Sequence, residues 1–229
     1  MAPRPAVRRQ PPGGAARRTE PNQPVPLFER PRSLADLAQA LQDCRECPRG
    51  EKATLAVPGG GAARARLMFV GEQPGDQEDR RGEPFVGPSG QLLDRALAEL
   101  GWPRGETYVT NAVKHFKFEL RGKRRIHKTP AQQEAAACLH WLESEIALVQ
   151  PEAIVALGAT AARQLAGRPV AVMRERGRWI ERSDGRPLLV TLHPSALLRL
   201  DDGDREAAYA AWLADLRHAD GVFHGGAKR

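Results

Sequence analysis

The sequence contains no run of about eighteen consecutive apolar residues, the length a helix needs to cross a bilayer core. Its N-terminus also lacks the apolar stretch of a secretory signal. With neither feature, a soluble, intracellular (cytoplasmic) protein with no membrane partner is expected. Cysteine is scarce, with 3 residues in 229, too few for a disulfide framework. Cys44 and Cys47 form a C-x-x-C pair and Cys138 lies far downstream, a pattern that points to metal or redox chemistry before a structural bridge. No internal repeat is visible. Large apolar side chains are nearly missing from residues 1–30, which are rich in Pro, Arg, Ala and Gly. Such a stretch buries too little surface to offset its ordering entropy, so a disordered basic tail is expected there. One domain over residues 31–218 and a polar tail over 219–229 complete the expected organisation.

What is present is positive charge. The net charge is +7 and the pI about 9.8, which favours a polyanionic partner. Lys114, Lys117, Arg121, Lys123, Arg124, Arg125 and Lys128 crowd one stretch, relieved only by Glu119. On charge alone this is either a nucleic-acid contact or a solvated basic loop.

Patterning then supplies the elements. Ser33 can cap a helix carrying Leu34, Leu37 and Leu41 towards Cys44. Leu67–Val70, Tyr108–Thr110, Ala153–Leu157, Arg178–Ile180 and Leu188–Thr191 read as strands. Helices are expected over Gln91–Leu100, Pro130–Val149, from Ala159 onwards, and over Asp204–His218. Strands alternating with helices imply a three-layer α/β/α sandwich around a mostly parallel four-stranded sheet. In such sheets function gathers beyond the carboxyl ends of the strands. Three strand exits carry unusual residues. Gly71-Glu72-Gln73-Pro74-Gly75-Asp76 follows the first strand, with Pro84-Phe85-Val86-Gly87-Pro88-Ser89-Gly90 close behind. Asn111 ends the second strand, and His193-Pro194-Ser195 follows the last.

These motifs, together with Arg124-Arg125-Ile126-His127-Lys128-Thr129-Pro130, resemble the uracil-DNA glycosylase superfamily from about Leu34 to Leu216. The likeness is nearest to its iron–sulfur branch and, through G-E-Q-P-G and the R-R-I-H-K-T-P loop, to the UdgX group. The resemblance implies uracil-containing DNA, single- or double-stranded, as partner and substrate of a monomer. An extruded base needs an aromatic face and a polar edge, roles that fall to Phe85 and to the Asn111 carboxamide. The Glu72–Gln73 loop would crowd the C5 side of the base, and Gln73 and Asp76 would be among the residues that bind it. A neutral His193 would donate to the departing base, and Ser195 would touch phosphate. Leu197 and Leu198 would wedge into the base stack, and the helix beginning at Ala159 and Thr160 would meet another phosphate. Lys114, Arg124, Arg125 and Lys128 would hold the DNA. The resemblance further implies that the His127 imidazole attacks the sugar C1′ and leaves the protein joined to the abasic site. Glu72 would take its proton or steady the cation, and Arg124, Arg125 and Lys128 would keep the ring neutral. A conventional multiple-turnover glycosylase is the alternative, and a non-catalytic zinc-stabilised DNA-binding module is another.

The iron–sulfur branch holds a [4Fe–4S] cluster with four cysteines. The resemblance implies that here Cys44, Cys47 and Cys138 would be joined by His115, which stands in Val113-Lys114-His115-Phe116 where the missing ligand falls. Spacing alone equally permits a Cys₃His zinc site, and His140 is a second candidate ligand.

Overall fold

The structure, a computed structural model, describes residues 31–47 and 53–225; the expected N-terminal tail lies outside them. The strands are β1 (Gly60–Gly61), β2 (Leu67–Gly71), β3 (Tyr108–Asn111), β4 (Phe118–Arg121), β5 (Arg124–His127), β6 (Ala153–Leu157), β7 (Arg178–Glu181) and β8 (Pro187–Thr191). The helices are α1 (Leu34–Gln42), α2 (Asp76–Arg81), α3 (Pro88–Glu99), α4 (Gln132–Val149), α5 (Ala159–Ala166), α6 (Val172–Glu175), α7 (Pro194–Leu198), α8 (Asp202–Arg217) and α9 (Asp220–Phe223). No helix among the described residues is long and apolar enough to cross a membrane.

A 6-stranded sheet runs in the order β1-β3-β2-β6-β8-β7. Its inner strands β3, β2, β6 and β8 are parallel, as the βαβ pattern requires. The expected four-stranded sheet is thus extended at both edges. Gly60–Gly61 pairs antiparallel with β3, and β7 pairs antiparallel with β8.

Side-chain alternation divides the core into two layers. Leu67 and Phe69 of β2, with Val155 and Leu157 of β6, meet Leu93 and Leu97 of α3 and Trp212 and Leu216 of α8. Met68, Val70, Ile154 and Ala156 turn to the other face, against Leu142 and Ile146 of α4 and Ala161 and Leu165 of α5. Each fully buried large apolar side chain contributes roughly 1.5–3 kcal/mol, so the continuous apolar runs of β2 and β6 dominate the fold. A smaller cluster of Leu37, Leu41, Cys44, Ala56 and Trp141 seats α1 on α4.

Two segments depart from the sequence reading. The basic stretch after Phe116 is a hairpin, β4 paired with β5 in a separate 2-stranded sheet with Phe118 opposite His127. At the C-terminal end, residues after Arg217 continue as α9. Phe223 stacks on the fully buried Trp102 at 5.3 Å, and the Trp102 indole donates to Asp220 at 3.2 Å. The expected polar tail therefore begins with a packing element. Phe223→Ala should cost about 1–2 kcal/mol through the lost ring contact. Urea denaturation should show a lower midpoint with an unchanged slope.

Candidate active site

The chain leaves β2 towards β3 through α3 on one face of the sheet. It leaves β3 towards β6, on the other side of β2, through α4 on the opposite face. The carboxyl end of β2 is therefore a topological switch point, where open α/β sheets bind ligands. A pocket of about 510 Å³ opens there, lined by Gln73, Asp76, Phe85, Asn111, His127 and His193 among others. A second pocket of about 320 Å³ adjoins it through Gln73, His127, His193, Ser195 and Arg199, and includes Glu72.

Asn111 pairs with Gly71 at the last register position of β2 and β3. It is buried, and its side-chain Oδ1 has no hydrogen-bond partner. Polar atoms buried without partners are rare and costly, so this oxygen is available to something entering the pocket. A Cβ at Gly71 would stand 2.5 Å from both Asn111 Oδ1 and the tip of the Phe85 ring, so only glycine lets the two side chains close in. Phe85 itself sits at φ +56°, an unfavourable backbone region for a bulky residue. Gly90, whose missing Cβ would strike the Phe85 carbonyl, makes room for that turn. Glu78, overlooked in the sequence, binds the two glycine loops together: its carboxylate accepts from the backbone N–H of Gly75 at 3.1 Å and of Gly87 at 2.8 Å.

His193 caps α7. Its Nδ1 accepts from the Ser195 backbone N–H at 3.1 Å and faces the Ser195 hydroxyl at 2.9 Å. An imidazole accepting at Nδ1 carries its proton on Nε2 when neutral. Burial, aided by the neighbouring His127 and Arg199, pushes its pKa down to about 4. Ser195, expected on phosphate, is thus engaged with His193.

His127 ends β5 with its side chain half exposed and its Nε2 3.5 Å from Glu72 Oε1. Glu72 also accepts from the Thr160 hydroxyl at 2.6 Å, in the first turn of α5. The helix start assigned to a DNA phosphate therefore already faces a carboxylate. The His127 pKa is lowered by partial burial first; Glu72 opposes the shift and Arg199 adds to it. The expected cause, repulsion from Arg124, Arg125 and Lys128, is not the one at work. Arg199, which lines both pockets, was missed because one arginine after a short helix carries no motif signal.

Several expected DNA contacts are corrected. The Lys114 side chain has no exposure and is bonded to Glu145 at 2.6 Å. Arg125 is held by Asp76 and Asp79 and lies over the Phe116 and Phe118 rings, so its charge is spent inside the protein. Asp76 is spent with it, while also bonding Arg80 at 3.0 Å. Leu197 is fully buried in the core and cannot wedge, whereas Leu198 is exposed beside exposed Leu200. Arg124 is exposed; Lys128 is exposed but paired with Glu119 at 2.9 Å. Gln73 lines the pocket, yet its amide extends the hairpin ladder. It donates to the Lys117 and Lys128 carbonyls at 3.2 and 3.0 Å and accepts from Lys117 N–H at 3.2 Å.

The four expected metal ligands, Cys44, Cys47, His115 and Cys138, are all buried. The Cys138 thiol bonds to Cys47, and this bond followed by burial holds it well above the ordinary thiol range. Burial likewise raises Cys44. His115 Nδ1 is buried without a partner. Buried thiols and an orphaned imidazole nitrogen are the donor chemistry that a thiolate-bound metal group needs, so the residues fit one. His140 faces Glu46 at 2.6 Å and is exposed, which removes it from the candidate ligands.

The switch-point pocket thus brings an aromatic ring, an unpartnered carboxamide oxygen and an imidazole of lowered pKa together on an α/β scaffold. The uracil DNA glycosylase superfamily model matches residues 58–217, and the chain belongs to that superfamily. A type-4 uracil-DNA glycosylase of Thermotoga maritima is 37% identical over 174 residues, 76% of this chain and 87% of the relative. The Pyrobaculum aerophilum type-4 uracil-DNA glycosylase is 36% identical over 176 residues, 72% of this chain and 85% of the relative. A type-4 enzyme of Sulfurisphaera tokodaii is 32% identical over 174 residues, 72% and 76% of the two chains.

The depressed His193 pKa sets a pH dependence. The unfolded chain, with an ordinary pKa of 6.5, takes up the proton first as pH falls. The stability linked to neutral His193 is therefore full above about 6.5 and is lost as pH drops towards 4. An NMR titration of the histidine rings should find one imidazole still neutral at about pH 5, and His193→Asn should remove that resonance.

Proposed function

We propose that this protein excises uracil from DNA, single- or double-stranded, and stays joined to the abasic sugar through His127. The observation that carries the reading is the meeting of His127 with Phe85, Asn111 and His193 at one pocket of about 510 Å³, with Glu72 beside the imidazole. Phe85 offers a ring face to the flipped base, and the unpartnered Asn111 Oδ1 accepts from the uracil N3–H, which cytosine lacks. The Glu72–Gln73 loop supplies bulk against a C5 methyl group.

The C1′–N1 bond breaks with its electron pair moving to the base. The uracil anion is met by the Nε2–H of neutral His193, a donor that is already oriented before charge develops. The sugar cation is then attacked by the His127 lone pair, forming a C–N bond. The ring's N–H proton passes to Glu72, and the uracil anion takes a proton from solvent. Partial burial keeps His127 neutral and nucleophilic at pH 7. Arg124, Lys128 and Arg199 supply cationic contacts for phosphates, and Leu198 supplies an apolar edge for the stack. Cys44, Cys47, Cys138 and His115 would hold a [4Fe–4S] cluster, which would tie α1 to α4 as a structural brace.

Incubation with a uracil-containing oligonucleotide should give a slow band on a denaturing gel, and His127→Ala should abolish it while free abasic DNA accumulates. An adduct persisting in that variant would overturn the assignment of the nucleophile. Abasic DNA without adduct from the unaltered protein would establish the conventional enzyme. Elemental analysis should find iron and acid-labile sulfide in near-equal amounts; zinc without sulfide would replace the cluster with a Cys₃His site.

A further inference from the structure

We propose that Lys114 is a positioning residue for base recognition. From beneath the pocket its ammonium fixes the backbone of Asn111, so that the carboxamide stays aimed at the base. The inference rests on the reading of Asn111 as the residue that meets uracil.

Lys114 and Glu145 both have fully buried side chains. An ammonium has three protons, and three acceptors surround this one: Thr110 Oγ1 at 2.7 Å, the Asn111 backbone carbonyl at 2.8 Å and Glu145 Oε2 at 2.6 Å. Glu145 is partnered at both oxygens in turn. Its Oε2 also accepts the Thr110 hydroxyl at 2.7 Å, and its Oε1 accepts the Gly59 N–H at 2.8 Å. A fully satisfied anchor therefore grips the last two residues of β3, while the side-chain Oδ1 of Asn111 is left without a partner.

A buried ion pair is a poor source of stability, because the cost of desolvation rivals the attraction and apolar side chains of similar volume do as well. What apolar side chains cannot do is hold a carbonyl group. Two torsions separate the Asn111 carboxamide from its backbone, so fixing that carbonyl limits where Oδ1 can point. Lys114 lies three residues beyond Asn111, and the intervening chain is held by Ala112 N–H on the Gly71 carbonyl at 2.9 Å and Val113 N–H on the Glu72 carbonyl at 3.0 Å. The exit of β3 is thereby tied both to the exit of β2 and to α4.

The test compares binding of two single-stranded oligonucleotides, one with a cleavage-resistant 2′-fluorinated deoxyuridine and one with the matching thymidine. All proteins carry His127→Ala, so that binding stays reversible. Removing Lys114 alone would strand a buried carboxylate, so the variant is Lys114→Met with Glu145→Leu, and Thr110→Val is a milder second variant. The double variant should unfold cooperatively and bind the thymidine strand normally, while its preference for uracil falls by roughly tenfold, the value of about one well-aligned hydrogen bond. Thr110→Val should shift the preference in the same direction by less. Full uracil preference in the folded double variant would overturn the inference. If that variant does not fold, full preference in Thr110→Val overturns it instead. Absence of uracil preference in the His127→Ala protein itself would overturn the glycosylase reading, and this inference with it.

Discussion

Four strands hydrogen-bonded in parallel must all release their chain at the same edge of the sheet, and the rest of this structure follows from that constraint. Helices cover both faces of β3, β2, β6 and β8, so polar groups that must face a ligand collect at the edge where the strands end. The register is strict. Asn111 stands beside Gly71 at the end of the ladder, and a slip of one residue would turn its side chain to the opposite face. The same alternation sends Thr110 to Glu145 on α4 and Asn111 to the Phe85 side. Two neighbouring residues thus serve an internal anchor and an open pocket.

The hairpin is a second assembly laid over the first. A lone two-stranded hairpin is marginal in water, and this one is held from outside itself. The Gln73 amide bonds its open end, Asp76 and Asp79 take the Arg125 guanidinium, and Lys117 reaches Glu134 of α4 at 2.8 Å. These bonds carry His127 to the rim of a pocket whose floor belongs to the sheet. Of the cations flanking the imidazole, Arg125 is held by Asp76 and Asp79 and Lys128 meets Glu119 at the surface, while partial burial is the first cause of the lowered His127 pKa.

Much of the scaffold was legible because parallel strands buried on both faces are written as unbroken apolar runs, as in Leu67–Val70 and Ala153–Leu157. The strand exits were legible too, since Glu72, Asn111 and His193 each follow such a run. Less visible were α2, a single acidic and basic turn with no apolar stripe, and β4–β5, whose charged residues concealed a pairing secured by distant partners. Lys114 and Arg125 read as surface cations because the sequence shows their charge without the Glu145, Asp76 and Asp79 that meet them. Leu197 read as exposed because a five-residue helix has too few positions to reveal its buried face.

By itself, then, the sequence determined the α/β layering and the sheet edge at which Glu72, Asn111 and His193 gather. Only the tertiary structure decided which charges stay exposed and which are paired inside the protein. It also decided which nitrogen of His193 bears the proton, and why Asn111 keeps an unsatisfied oxygen. The physical reason is range: apolar periodicity is a property of neighbouring residues, whereas the state of a charge or a hydrogen bond depends on partners brought together across the chain.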